Sequence, residues 1–361
     1  MFGENEKITS LLDGISLPEI ALSKESRQLS EIVKDSTLSL VDRLESYEDI
    51  TNIEVGDTSL TRARNVGRKM DFRQLYLKFE GGNPTGTQKD RIAFAQCHEA
   101  LRWGFEAITV ATCGNYGVAV ALAAGLAGLR CIIFIPKEYH TQRIREMEQL
   151  GAIVKRVKGS YEDSVTYSIK QARLHEWYDA NPGGQNTSLQ LKAYAEIANE
   201  IYDQLRDAPK YVAVPVSNGT LLAGVYRGFV SLYKRGRTSR IPKMIAGSSS
   251  HKNPIVHSFM KGLTVCEDLN PALIRETKVN EPLINWHSFD GDEALYAINE
   301  SGGSAIGISD EKMLKLARFL NEQEGLNVLP ASTAGLAALL ALHRKAAFEP
   351  DRYVAILTGR K

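Results

Sequence analysis

Residues 75–91, LYLKFEGGNPTGTQKDR, present one lysine at the mouth of a tight bend. The apolar run Leu75-Tyr76-Leu77 predicts a strand that leads into Gly81-Gly82-Asn83-Pro84-Thr85-Gly86-Thr87. Gly and Pro turn the backbone there, while short hydroxyls supply donors and acceptors. Lys89 then stands just ahead of a predicted helix. A lysine delivered in this way forms a Schiff base with a carbonyl compound, acting first as nucleophile and later as base. Taken alone, the segment equally fits a hairpin followed by a solvated lysine.

Such chemistry needs elements to hold it. From Glu106 onward, short apolar strands alternate with amphipathic helices. Strands are predicted over 107–112, 130–136, 152–159, 211–216, 243–249 and 352–358. Helices are predicted over 117–127, 140–151, 161–178, 188–206, 221–235, 310–323 and 332–346. The alternation implies parallel βαβ units, hence an α/β, doubly wound and mostly parallel architecture. Ligands in such sheets lie beyond the carboxyl ends of the strands. The first fifty residues read as polar and irregular, with one helix near 38–45.

Two strand ends carry turn chemistry. Thr112 closes one strand and is followed by Cys113-Gly114-Asn115-Tyr116-Gly117. Ser217-Asn218-Gly219-Thr220-Leu221 follows another. Each opens a helix, whose first amides and partial positive charge suit an anion, although a Gly/Ser/Asn turn is also an ordinary helix cap. The second loop holds no lysine, so it is not a Walker loop, and no GxGxxG follows a predicted strand. The last strand ends at Thr358, whose hydroxyl faces either a ligand crevice or solvent.

Composition removes several classes of function. The 361 residues are 43% hydrophobic and 24% charged, with a net charge of +1. That offers no field for nucleic acid or an anionic membrane. The acidic start MFGENEKITS is unlike a signal peptide, and the apolar run 118–129 is too short to span a bilayer. Four cysteines show no CxxC spacing and no histidine at metal-ligand spacing, so no metal is expected and reduced thiols of a cytoplasmic protein are. His98, His140, His175, His251 and His257 form no triad pattern. Ser248 and Ser250 beside His251 lack a Gly-x-Ser-x-Gly elbow.

Taken in order, the lysine loop, the Gly-Asn loop, the Gly-containing loop and the terminal Thr-Gly resemble the fold-type II pyridoxal-phosphate enzymes. This is the tryptophan synthase β-like group, and within it the motifs are most similar to threonine synthase. EGGNPTGTQKDR (80–91), ITVATCGNYGVAVALAAGLAGL, VPVSNGTLLAG, LPASTAGLAAL and ILTG carry the resemblance, which extends from about Gly56 to the C-terminus. It implies pyridoxal 5′-phosphate as cofactor and Lys89 as the imine-forming lysine and proton shuttle. Asn115 would bind the cofactor's ring oxygen. The amides of Ser217, Asn218, Gly219, Thr220 and Leu221 would hold its phosphate, and Thr358 would meet the pyridine nitrogen. A neutral hydroxyl there draws less electron density into the ring than a carboxylate, favouring elimination and replacement over transamination. Thr112, Cys113, Gly114 and Tyr116 would face the substrate, with Thr85 and Thr87 near its leaving group. The resemblance further implies a two-lobed molecule, with 1–92 plus 206–361 as the cofactor-binding domain and 93–205 as a small mobile domain. A homodimer acting on a small amino acid is typical of the group.

The implied activity is conversion of O-phosphohomoserine and water to threonine and phosphate. Threonine or serine dehydration, cysteate synthase-like β-replacement, and a non-catalytic module on the same scaffold are the alternatives. Four departures bear on the choice. Cys113 replaces the usual serine, and reads as a small packing residue. Tyr116 stands where a small residue is common. The phosphate loop is Ser-Asn-Gly-Thr rather than a glycine run. The segment 181–187, NPGGQNT, lacks an arginine suited to a phosphorylated substrate. Arg91, Arg143, Arg145, Lys155 and Lys192 are candidate substitutes, each also readable as an ordinary charge.

Overall fold

A computed structural model of the chain describes residues 20–112, 114–138 and 143–361. Cys113 and His140 therefore lie outside the described residues. The described chain begins with α1 (Lys24–Lys34), α2 (Leu40–Glu54), β1 (Ser59–Arg62), α3 (Arg64–Lys69), β2 (Leu75–Phe79) and α4 (Lys89–Arg102). Next come β3 (Ala107–Ala111), α5 (Asn115–Ala127), β4 (Arg130–Pro136), α6 (Arg143–Gln149), β5 (Ile153–Val157), α7 (Tyr161–His175) and β6 (Tyr178–Asp179). Then follow α8 (Thr187–Leu205), β7 (Tyr211–Pro215), α9 (Thr220–Lys234), β8 (Lys243–Ser249) and α10 (Pro254–Met260). The last elements are α11 (Gly291–Glu300), β9 (Ser304–Ile308), α12 (Asp310–Glu324), α13 (Ala334–Lys345) and β10 (Tyr353–Leu357).

These elements form two compact units. The first comprises the described residues 20–55 and Lys89–Asn181. Its sheet has the order β5-β4-β3-β6, with every pairing parallel. Helix α5 packs against α1, α4, α6 and β4. It is buried along nearly its whole length, which is why its sequence is apolar all round rather than amphipathic.

The second unit comprises Gly56–Gln88 and Pro182–Lys361. Its six-stranded sheet has the order β1-β2-β10-β7-β8-β9, parallel except for the β1–β2 pair. Strand β10 is fully buried and runs parallel to β2 on one side and β7 on the other. The chain following each of these three strands thus leaves the same carboxyl edge of the sheet.

Several expectations are corrected here. Among the described residues 20–50 the chain is helical rather than irregular: α1 is added to the helix expected near 38–45, which extends as α2. The two are capped by the Ser23 and Ser39 hydroxyls, and bury Val33, Tyr47 and Ile50. Helix α7 stops at His175 rather than 178, because Glu176 turns left-handed and Tyr178–Asp179 joins the edge of β3. The unit boundaries also differ from those expected. Helices α1 and α2 pack with α5 and α4, while α8 packs along α9, so 187–205 groups with the later residues.

Beneath the bend after β2 lies a charged interior. Lys78 is 0% exposed, in mid-strand. Its ammonium donates to the Thr58 carbonyl and pairs with Glu200 of α8. Buried Glu80 accepts from the Thr58 hydroxyl at 2.7 Å and from the Asn83 carboxamide at 3.0 Å. Asn83 Oδ1 takes the Gly56 amide at 3.0 Å. Removing one member of such a pair strands a buried charge, at a cost of roughly 3–5 kcal/mol. Lys78→Met should therefore lower stability to urea by that order, whereas Lys78→Met combined with Glu200→Leu should recover much of it. Equal losses in the two variants would show that the ion pair is not the source.

Candidate active site

The bend that delivers Lys89 is tied down by the end of the chain. The Arg360 guanidinium donates to the Gly81 carbonyl at 3.2 Å and to that of Pro84 at 3.1 Å. Its amide donates to the Gly86 carbonyl at 2.9 Å, and the Gln88 amide donates to the Thr358 carbonyl at 3.0 Å. Thr87 bridges Gly359. Gly86 has φ +84°, and a Cβ there would stand 2.7 Å from Arg360 Nε, so both conformation and space demand glycine. Thr87 is buried and Thr85 half-buried on this loop. The half-buried Thr358 donates its hydroxyl to Ser332 Oγ at 3.3 Å.

On the same sheet edge, the 217–221 loop opens α9. A polar scaffold gathers its carbonyls from behind. Ser217 O accepts from the Asn253 carboxamide at 3.0 Å, and Asn218 O from the Asp290 amide at 3.1 Å. Asn218 Oδ1 accepts from the Asn285 carboxamide at 3.0 Å. Asp290 is 2% exposed and accepts from the Thr220 hydroxyl at 2.5 Å and the Thr187 hydroxyl at 2.7 Å. Gly219 has φ +97° and lies 2.7 Å, at its would-be Cβ, from the Asp290 carbonyl oxygen and Ala294. With the carbonyls drawn backward, the amides of 217–221 find no acceptor among the described residues. Unpaired amides at a helix start form an anion cradle.

The first unit carries the other expected residues. Thr112 is buried and accepts the Gly114 amide on its hydroxyl at 3.3 Å, which leaves its own O–H to donate. Asn115 begins α5, half-buried. Lys89 begins α4, half-buried, with its ammonium over the Tyr116 ring at 5.5 Å from the centroid. Tyr116 is 6% exposed and donates its hydroxyl to the Ala180 carbonyl at 2.8 Å, so that hydroxyl is held by the fold. Asn181 is also structural: its Oδ1 takes the Ala111 amide at 2.8 Å, pinning the end of β3.

Other candidates separate cleanly. Arg91 is buried, Arg143 pairs with Glu146, and Lys155 lies over Trp177. Ser248 donates to the Val216 carbonyl at 2.6 Å as part of the core. Cys97, Cys131 and Cys266 are free thiols, and burial pushes Cys131 up to about 12 and Cys266 up to about 11. Sequence reading missed Lys78, Glu80, Arg360 and Asp290. Their partners are remote in the chain, and only the closeness of Arg360 to Thr358-Gly359 was a usable signal.

The model of the family described as pyridoxal-phosphate dependent enzyme matches residues 52–359. Threonine synthase of Methanocaldococcus jannaschii is 30% identical over 316 residues, covering 86% of this chain and 76% of that protein. Threonine synthase of Methanosarcina acetivorans is 28% identical, covering 98% of this chain and 85% of that protein. Among solved structures, maize serine racemase superposes with a TM-score of 0.71 at 19% identity, over 89% of this chain and 94% of its own. A processed threonine deaminase isoform 2 of Solanum lycopersicum gives 0.70 at 17% identity, over 100% and 96%. These structural likenesses speak for the fold.

The chain belongs to the pyridoxal-phosphate-dependent enzyme family. Its cofactor is pyridoxal 5′-phosphate, and the fold is that of the fold-type II members. The residues present fit the group, since the unpaired 217–221 amides match a phosphate. Among the described residues, no group of His, Cys, Asp and Glu could hold a metal, and no helix is long and apolar enough to cross a membrane. Gly219→Ala would force a side chain into a left-handed position against Asp290 and Ala294. It should weaken cofactor binding about tenfold or more, read by absorbance titration of cofactor-free protein. Unchanged affinity would mean that another element holds the phosphate.

Proposed function

We propose that this chain catalyses elimination and replacement on an amino acid, as a threonine synthase acting on O-phosphohomoserine and water. The observation that carries the reading is the similarity to threonine synthases over most of the chain. The anion cradle at 217–221 and the neutral hydroxyl of Thr358 at the same sheet edge support it. When bound, pyridoxal 5′-phosphate supplies an electron sink beside the substrate's Cα.

The chain's own residues do the rest. Amides of Ser217 to Leu221 would bind the cofactor phosphate, and Asn115 would orient the ring by its oxygen. Thr358 would offer the pyridine nitrogen a neutral hydroxyl rather than a carboxylate. Lys89 would hold the cofactor and, with its amine free, would act as the base. Its amine would take the Cα proton and pass it to the phosphate group, then take a Cβ proton as hydrogen phosphate leaves Cγ. The ammonium would return that proton to Cγ, and the amine would accept one from water as the hydroxyl adds at Cβ and deliver it to Cα. Thr112 and Gly114 orient the substrate carboxylate, and Thr85 and Thr87 the leaving group. The working assembly is a cytoplasmic homodimer.

A second reading rests on the segment 181–187. It holds no cation, and its Asn181 and Thr187 side chains are bound to the fold. Loss of a β-substituent from serine, threonine or an activated serine needs no phosphate clamp, so dehydration or another β-replacement is the competitor. Incubation with O-phosphohomoserine should release inorganic phosphate and threonine in equal amounts. Keto acid from serine or threonine, with no phosphate release, would favour the competitor. Lys89→Ala should abolish turnover and the imine absorbance in either case; a variant with full turnover would sink the assignment.

A further inference from the structure

Lys89 and Tyr116 meet within one compact unit, at the starts of α4 and α5. The ammonium lies 5.5 Å from the ring centroid. The ring is a fixed platform. It is 6% exposed, its hydroxyl donates to the Ala180 carbonyl at 2.8 Å, and the Ala180 amide donates to Thr109 of β3 at 2.9 Å. An aromatic face attracts an ammonium through its quadrupole and offers a neutral amine almost nothing. A lysine that cycles between the two forms is therefore treated differently in each.

We propose that Tyr116 is a positioning residue that holds the freed Lys89 as it becomes an ammonium, thereby favouring proton removal from the substrate's Cα. This rests on the assignment of Lys89 made above. In the step, the Cα–H bond breaks and its proton forms a new N–H bond with the amine lone pair. The C–H electron pair stays with the substrate carbon. The ring does little for the amine before the transfer and attracts the ammonium that forms, so the stabilisation is differential. The inference also replaces the substrate contact expected of Tyr116, whose hydroxyl the fold already holds.

The test compares Tyr116→Phe, which keeps the aromatic face, with Tyr116→Leu and Tyr116→Met, which keep bulk without it. The first readout needs no cofactor. Cofactor-free protein is treated at one fixed pH with an N-hydroxysuccinimide ester, and acylation of Lys89 is followed by peptide mass spectrometry. Only the neutral amine reacts. The Leu and Met variants should label about three- to tenfold faster than the parent, and the Phe variant within about twofold of it. The second readout is exchange of the Cα hydrogen of O-phosphohomoserine with deuterated water by loaded enzyme. It should slow in the Leu and Met variants and be rescued in the Phe variant. Equal labelling of all four proteins, or a Phe variant that behaves like Leu, overturns the proposal. Failure of the parent to develop any cofactor absorbance would instead overturn the assignment of Lys89, and the labelling series would still decide whether the ring holds an ammonium.

Discussion

A charged lysine in the middle of a buried strand constrains everything around it. Lys78 cannot reach water, so the fold brings it Glu200 from α8 and the carbonyl of Thr58. Those partners fix where β1 begins and where α8 lies. Glu80, two residues on, then joins Thr58 to Asn83 and through it to Gly56. Half the bend is thereby specified from below. Buried ions contribute little net stability, but they penalise every arrangement that leaves one of them unpaired. The consequence is a loop of one shape.

The other half of the bend is specified by the last residues of the chain. β10 lies between β2 and β7, and its continuation meets the loop through Thr358, Gly359 and Arg360. A parallel sheet sends the ends of all three strands to one edge, which is the usual location of ligands in such folds. At that edge Asp290 and Asn285 hold the 217–221 loop from behind, as Arg360 holds the lysine loop. Both loops are thus shaped by hydrogen bonds from side chains remote in the sequence.

Punctuation in the sequence made part of this legible. The Gly/Pro bend before Lys89, the turn before Asn115 and the loop 217–221 are local signals, and each fell where a strand passes into a helix. The strand-helix alternation was readable because buried parallel strands are short apolar runs. What escaped was long-range. Lys78 alternates with Tyr76 in LYLKF as a solvent-facing residue would, and its partner Glu200 lies 122 positions away. Arg360 reaches a carbonyl 279 positions earlier. Helix α1 was missed because it is polar on the outside and buries only a few positions, and α2 was expected only over the shorter stretch near 38–45. The bond from the Tyr116 hydroxyl to the Ala180 carbonyl, 64 positions on, likewise left no local signal.

The central claim is that this scaffold exists to present Lys89 to the cofactor. Borohydride reduction of the loaded protein, followed by peptide mapping, tests it most directly. The account predicts one reduced phosphopyridoxyl adduct, on Lys89. An adduct on another lysine, or none on protein that has demonstrably bound the cofactor, would contradict it.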